Sequence, residues 1–313
     1  MEVIITGSLA YDRFLNINGS LSDICINDRE YPFEAGYHVN EIRESFGGNA
    51  GNIAYTLSLF GRTPVIISSV GKDYDRYFVW MKENNIETER IRIINIEMTA
   101  VAYVISDNDS NRITIFVPGA MNYPSEYDIS KMKADDTLGV VSPGNLEDMK
   151  NYCRDFTKYK IPYIFSPGQS LSRWDTGELI YCIEGALITI VNNAELSLIY
   201  NKTGLTKDVL AGKDRTLIVT RSGEGSVVYT SSSETMIQPV NLDKVVDSHG
   251  AGDAFTGGLA EGILEGKTIL ESVMVATVCA SFSIECYGTQ RFGFSQDDFN
   301  RRLENLRGKM NLI

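Results

Sequence analysis

Residues 245–258 read VVDSHGAGDAFTGG. Three small residues, Gly250, Ala251 and Gly252, stand directly before a carboxylate, Asp253. Apolar residues at Ala254, Phe255, Leu259, Ile263 and Leu264 then predict a helix over 252–265. The first N–H groups of a helix lack internal acceptors, and together with the helix dipole they favour an anion. Small side chains let that anion approach the backbone. A carboxylate in the same turn sits awkwardly beside a phosphate unless it takes a proton from whatever attacks the phosphate. The bland alternative is a flexible turn ending in an ordinary helix-start aspartate.

Two nucleotide-binding motifs come close and fail. G-x-G-x-x-G needs a third glycine where the chain has Phe255. Gly266, Lys267 and Thr268 resemble the end of a P-loop, but its first glycine would fall on Glu261, and the segment follows a helix instead of a strand. It reads better as a helix C-cap followed by a new N-cap.

Other polar clusters share the setting. FGGNAGN (46–52) is a second glycine-rich helix entry. GSLAYD (7–12) places Asp12 just after the first strand, while NNAE (192–195) and VTRSGEG (219–225) each follow a strand. All are expected at or beyond strand C-termini, the edge where doubly wound sheets bind ligands.

The elements that must position these groups alternate. Strands are predicted at 3–6, 65–70, 138–142, 162–166, 186–191, 216–220 and 226–230, several of them apolar on both faces, as in a covered parallel sheet. Helices are predicted at 52–61, closed by Gly61, at 146–159, at 252–265, at about 268–286 and at 295–306 with Ser295 as N-cap. That rhythm means an α/β fold with a doubly wound, mostly parallel sheet. Residues 13–45 are polar and weakly periodic, and 99–117 read as a hairpin around SDNDSN. Together they are expected to form a small β lid over the strand ends of a single domain spanning 1–313.

The 313 residues suit a well-buried core, and the net charge of −12 argues against a nucleic-acid partner. MEVIITGSLAYD has no basic n-region, and no apolar run reaches membrane length, so a cytoplasmic protein without a membrane partner is expected. The five cysteines (25, 153, 182, 279 and 286) form no C-x-x-C pair and read as reduced thiols. With only His38 and His249, a histidine-rich metal centre is excluded.

Over nearly its whole length the chain resembles the ribokinase-like (PfkB-type) sugar and nucleoside kinases. DSHGAGD is similar to their D-T-x-G-A-G-D signature with Ser248 for Thr, and FGGNAGNIA to their N-terminal glycine signature. VGKDYD (70–75), VPGAMN (117–122) and NNAE resemble further family segments. The resemblance implies a three-layer α/β/α fold using ATP and Mg²⁺. It makes Asp253 the general base and the 250–252 backbone an anion hole. Asp12, Gly48, Asn49 and Asn52 match substrate contacts; Asn192, Thr220, Ser222 and Gly223 match nucleotide contacts. Glu195 would act on Mg²⁺ through water, its bland reading being a first-turn helix carboxylate. A monovalent cation near Asp247 and the role of His249 stay open, as does a homodimer built through the lid.

The acceptor is the finer question. SPGQSLSRW (166–174), with Ser166 for the usual Asp, and YGTQ (287–290) resemble the prokaryotic nucleoside and adenosine kinases. Phe14, Phe33, Tyr37 and Phe116 fall in the lid, where an aromatic can stack on a purine. These favour the 5′-hydroxyl of adenosine as acceptor over ribose or another sugar. A non-catalytic domain sensing a nucleoside or sugar is the third reading.

Overall fold

Residues 1–21, 38–109 and 111–310 are described by the computed structural model. Cys25, Phe33 and Tyr37 lie outside the described residues. The chain opens with β1 (Glu2–Thr6), β2 (Ala10–Ile17) and β3 (Val39–Gly47), then turns into α1 (Asn49–Ser58). β4 (Val65–Gly71), α2 (Asp75–Glu83) and β5 (Ile91–Ile94) precede the hairpin β6 (Ala100–Ser106) and β7 (Arg112–Val117). β8 (Thr137–Val141), α3 (Leu146–Tyr159), β9 (Tyr163–Phe165), α4 (Thr176–Gly185) and β10 (Ile188–Asn192) alternate. They lead to α5 (Asn193–Thr203), α6 (Lys207–Leu210), β11 (Thr216–Thr220), β12 (Ser226–Tyr229) and β13 (Glu234–Ile237). Three helices finish the fold: α7 (Ala251–Leu264), α8 (Ile269–Ser283) and α9 (Gln296–Lys309).

Nine strands form one sheet in the order β13-β12-β11-β10-β9-β8-β1-β4-β5. It is parallel from β5 to β11 and antiparallel at β12 and β13. Both faces are covered. Val3 and Ile5 of β1 join a core shared with α1, α7, α8 and α9, whereas the intervening Ile4 joins one shared with α3, α4 and α5. That alternation along one strand is the signature of three layers, helices on both faces of one sheet.

Local chemistry explains the helix boundaries. Asn145 caps α3 by accepting from the N–H groups of Glu147 and Asp148, and Ser295 caps α9. Thr268 and Glu271 form a reciprocal capping box at α8, so the Gly-Lys-Thr segment is the cap pair its context suggested. Helix α1 starts three residues earlier than expected and ends at Ser58, with Gly61 closing the turn that follows.

Four strands form a separate small sheet, β3-β2-β6-β7. Its strands extend beyond the segments marked out in the sequence, to Ala10 and Gly47. Asp12 therefore stands on a strand, paired with Ser45 and Ala102, and not in a turn after β1; FGGNAGN likewise leaves an antiparallel strand of this sheet. The weak periodicity of 13–45 has a cause: directly opposed Arg13 and Glu44 form an ion pair at 2.9 Å, so charge replaces apolar alternation on that face.

The central packing that matters for chemistry is α1 against α7. Arg62, just past α1, makes a two-pronged ion pair with the buried Glu261 of α7 at 2.8 and 2.9 Å. A Cβ on Gly257 of α7 would meet Thr56 at 2.7 Å, so glycine lets these helices close and brings their N-termini together. No helix among the described residues is long and apolar enough to cross a membrane. Cys153, Cys182, Cys279 and Cys286 are free thiols.

Candidate active site

Two helix starts converge beside the C-terminal edge of the large sheet, and only one stays open. Gly48 precedes α1 with φ 87°, and a Cβ there would meet Ser8 O at 2.5 Å. Ser8 occupies this terminus: its Oγ accepts from the Asn49 N–H at 3.0 Å and its carbonyl from the Ala50 N–H at 3.0 Å. Helix α7 begins at Gly250 with φ 78° and no side-chain cap. The Ala251 N–H reaches Ser248 O at a long 3.4 Å, while among the described residues the N–H groups of Gly252 and Asp253 have no acceptor. A Cβ on Gly252 would stand in open space where that residue lines the cleft, so glycine here keeps room free for a ligand.

Asp253 faces this space. Asn49 Nδ2 donates to its Oδ1 at 2.8 Å and Asn52 Nδ2 to its Oδ2 at 2.8 Å. The other end of each carboxamide is also held. Asn49 Oδ1 accepts from Ser8 Oγ at 3.3 Å and Gln169 Nε2 at 3.2 Å, and Asn52 Oδ1 accepts from Gln290 Nε2 at 3.1 Å. Burial outweighs the two donated hydrogen bonds and pushes the Asp253 carboxyl up to about 6. A carboxylate with its pKa near neutrality, steered by two amides, can accept a proton at physiological pH.

Asp12 lies across the same cleft, 3% exposed, and its Oδ2 has no hydrogen-bond partner. Burial first, then the charges of Asp253 and Asp247, raise its carboxyl to about 7. Gly47 lets it sit there, because a Cβ on that glycine would occupy the position of the Asp12 carboxylate. His249 Nε2 is 3.8 Å from Asp12 Oδ2. Burial pulls the His249 pKa below its ordinary value, with Asp247 opposing that shift and Arg112 adding to it.

The cleft holds about 500 Å³. Met121, Gln169 and the lower small-sheet residues Ala102 and Phe116 complete its walls. A second space of about 320 Å³ adjoins it along the same sheet face, reached by Phe14, Asn16 and Val104. The two spaces share that face because Ala10, Asp12, Phe14 and Asn16 alternate to one side of β2.

The remaining candidates gather one step along the large sheet. Asn192 and Thr220 end the neighbouring strands β10 and β11 in register, and Ser222 and Gly223 form the next turn. Asn192 and Glu195 make a capping box at α5, so the bland reading of Glu195 as a first-turn helix carboxylate is realised. Only Oε2 of Glu195 is used there, and burial raises its pKa, which leaves a carboxylate oxygen that gains from a nearby cation. No cluster of three or more His, Cys, Asp or Glu side chains able to hold a metal exists among the described residues. Arg112 of β7 at 3.4 Å and the His249 N–H at 3.2 Å both meet Oδ1 of Asp247.

Sequence reasoning missed Ser8 and the supports behind Asn52, namely Gln290, Tyr77 and Trp80. Gln290 was visible only as part of YGTQ; nothing local marks Trp80 as its partner 210 positions away.

The chain is similar to known kinases over most of its length. The chain is 26% identical to a nucleoside kinase of Methanocaldococcus jannaschii, over 91% of this chain and 94% of that one. It is 28% identical to a ribokinase of Lactococcus lactis over 78% and 81% of the two chains. Its fold superposes on a Burkholderia thailandensis nucleoside kinase in complex with inosine with a TM-score of 0.86, 30% identity and 98% coverage of both chains. The pfkB family carbohydrate kinase model matches residues 19–295. The chain is an ATP-dependent kinase and belongs to the pfkB carbohydrate kinase family.

Proposed function

We propose that this kinase phosphorylates the 5′-hydroxyl of a purine nucleoside, adenosine being the first acceptor to test. The observation that carries the reading is the placement of Asp253, held by Asn49 and Asn52, beside the open N–H groups of α7 in a 500 Å³ cleft. Asp253 takes the acceptor proton as the acceptor oxygen attacks the γ-phosphorus of ATP. The new O–P bond forms, the bond to the bridging oxygen of ADP breaks, and ADP leaves with the electron pair. The N–H groups of Gly252 and Asp253, at the start Gly250 and Ala251 create, donate to charge growing on the transferred group.

Asp12, in the wall of the cleft, accepts from a ribose hydroxyl. Asn49 and Asn52 each keep a second Nδ2 hydrogen for the acceptor after serving Asp253, and Gly48 sets the start of the helix that carries them. Asn192, Thr220, Ser222 and Gly223 line the nucleotide end, and Glu195 would hold Mg²⁺ there through water. When bound, that ion neutralises phosphate charge. The small sheet acts as a lid, and Phe116, exposed and lining the cleft, stacks on the base.

The relatives support a nucleoside, and the bound inosine of the Burkholderia enzyme supports a purine. The ribokinase relative keeps a sugar acceptor as the second reading. Base stacking is worth about 1–3 kcal/mol, or roughly five- to 150-fold preference over ribose. The test compares kcat/KM for adenosine, inosine, guanosine, cytidine, ribose and fructose 6-phosphate with ATP and Mg²⁺. A purine nucleoside should lead ribose by at least about tenfold on that stacking contribution. A lead for ribose or the sugar phosphate moves the assignment to a sugar kinase.

A further inference from the structure

Behind the Asp253–Asn52 contact stands a buried chain of polar groups that never touches the cleft. Gln290 is 2% exposed and lies in the loop between α8 and α9. Its Nε2 donates to Asn52 Oδ1 at 3.1 Å and to Tyr77 Oη at 2.7 Å, and its Oε1 accepts from Trp80 Nε1 at 3.0 Å. Tyr77 Oη in turn donates to the carbonyl of Gly47 at 2.6 Å, the residue that makes room for Asp12.

An indole N–H is a donor and nothing else. It therefore fixes the direction of every bond that follows. Trp80 faces the carbonyl oxygen of Gln290, so the Gln290 amide faces Asn52, which must answer with its own carbonyl oxygen. The Asn52 amide is then left to face Asp253. Reversing any carboxamide in this chain would set oxygen against oxygen or N–H against N–H. Trp80 is itself pinned by stacking on Phe46 at 5.4 Å and Tyr55 at 6.0 Å. Gly51 belongs to the arrangement too: a Cβ there would overlap Tyr77 Oη and lie 2.8 Å from Gln290 Nε2.

We propose that Gln290 is a positioning residue for phosphoryl transfer, fixing the polarity of Asn52 so that it donates to Asp253, with Trp80 as the group that sets the direction. The inference rests on Asp253 being the base. The donated bond favours the ionised carboxylate, so releasing Asn52 raises the pH at which Asp253 takes up a proton.

The experiment measures kcat/KM against pH for Gln290→Met and Trp80→Phe, with the Asp253 ¹³C-carboxyl titration read by NMR in the free proteins. Gln290→Met should move the acid limb and the titration upward by about half to one pH unit, roughly half of what losing a whole hydrogen bond to a charged group would give, because Asn52 is loosened and not removed. Activity should fall several-fold near pH 6.5 and recover above pH 8. Trp80→Phe, which keeps an aromatic ring in the stack, should shift both in the same direction by less. In an Asn52→Ala background, Gln290→Met should shift the Asp253 titration no further. A uniform loss at every pH with an unmoved titration, or a shift that persists without Asn52, overturns the proposal. If Asp253→Asn keeps full turnover, the base assignment fails instead, and the two failures are told apart.

Discussion

Asn52 and Asp253, 201 positions apart, meet at 2.8 Å, and Asn49 reaches the other oxygen of the same carboxylate at 2.8 Å. Two amides from the first turn of one helix thus hold a carboxylate in the first turn of another. The arrangement aims the carboxylate and leaves it buried enough to bind a proton near neutrality. Asp253→Asn keeps the shape and removes the base. Turnover should fall about 10²- to 10⁴-fold with KM for both substrates little changed. A folded variant with near wild-type kcat would remove Asp253 from the mechanism.

Much of this was legible because glycine-rich helix entries and short apolar strands are local signals. The segments around Asp253, Asn52 and Asn192 announce a helix start, and strand–helix alternation fixes which sheet edge they share. The small sheet was blurred because Arg13 and Glu44 pair across it, hiding the period of β2 and β3. Asp12 was placed just after the first strand, and not on the second, for the same reason. The tie between Trp80 and Gln290 is set by tertiary packing over 210 positions, which no window of sequence displays.

The pH profile follows from two carboxyls. Asp253 is raised to about 6 and Asp12 to about 7, mainly by burial, and both must be read as parts of one coupled site. A base works only when ionised, so kcat/KM should drop as pH falls through the interval from 7 to 6. At pH 5 it should be at least about tenfold below its value at pH 8. A single limb near pH 4 would show that the ionising group lies in an ordinary solvated environment, against this site.

Asp12 carries a stability cost in the ligand-free protein. Its folded pKa, about 7, lies above the ordinary 3.8, so between those values the folded chain holds a proton the unfolded chain has released. Stability therefore declines as pH rises through that window, and the full cost stands above pH 7. Asp12→Asn should raise Tm at pH 8 by on the order of 5 °C and leave it nearly unchanged at pH 4. The same variant should raise KM for the acceptor about 10- to 100-fold, the worth of a hydrogen bond to a charged group, without changing KM for ATP. Equal Tm gains at both pH values would mean that the effect is not the charge.

Closure of the small sheet should be visible in exchange. Strands 10–17, 100–106 and 112–117 send side chains into the cleft and 39–47 completes their sheet, and excluding water from phosphoryl transfer requires the sheet to settle over the site. Amide hydrogens of these strands should exchange more slowly with acceptor and a non-hydrolysable ATP analogue bound. Protection restricted to 245–258 would leave the sheet as a fixed wall.

Gly252 separates the needs of the fold from those of the reaction. A Cβ there meets nothing within 4 Å, and the residue sits in the first turn of α7, where a side chain costs the helix little. Gly252→Val should accordingly fold with Tm within about 2 °C of wild type, as expected for a substitution that disturbs no packing. Yet its branched side chain enters the space beside the Gly252 and Asp253 N–H groups. Losing one such donor is worth about 10²- to 10³-fold in kcat, and the same fall is expected here while adenosine or its replacement still binds. Glycine would then be kept at this position for the sake of the anion alone. A variant that is folded and fully active would show that the transferred phosphoryl group does not lie against the start of α7.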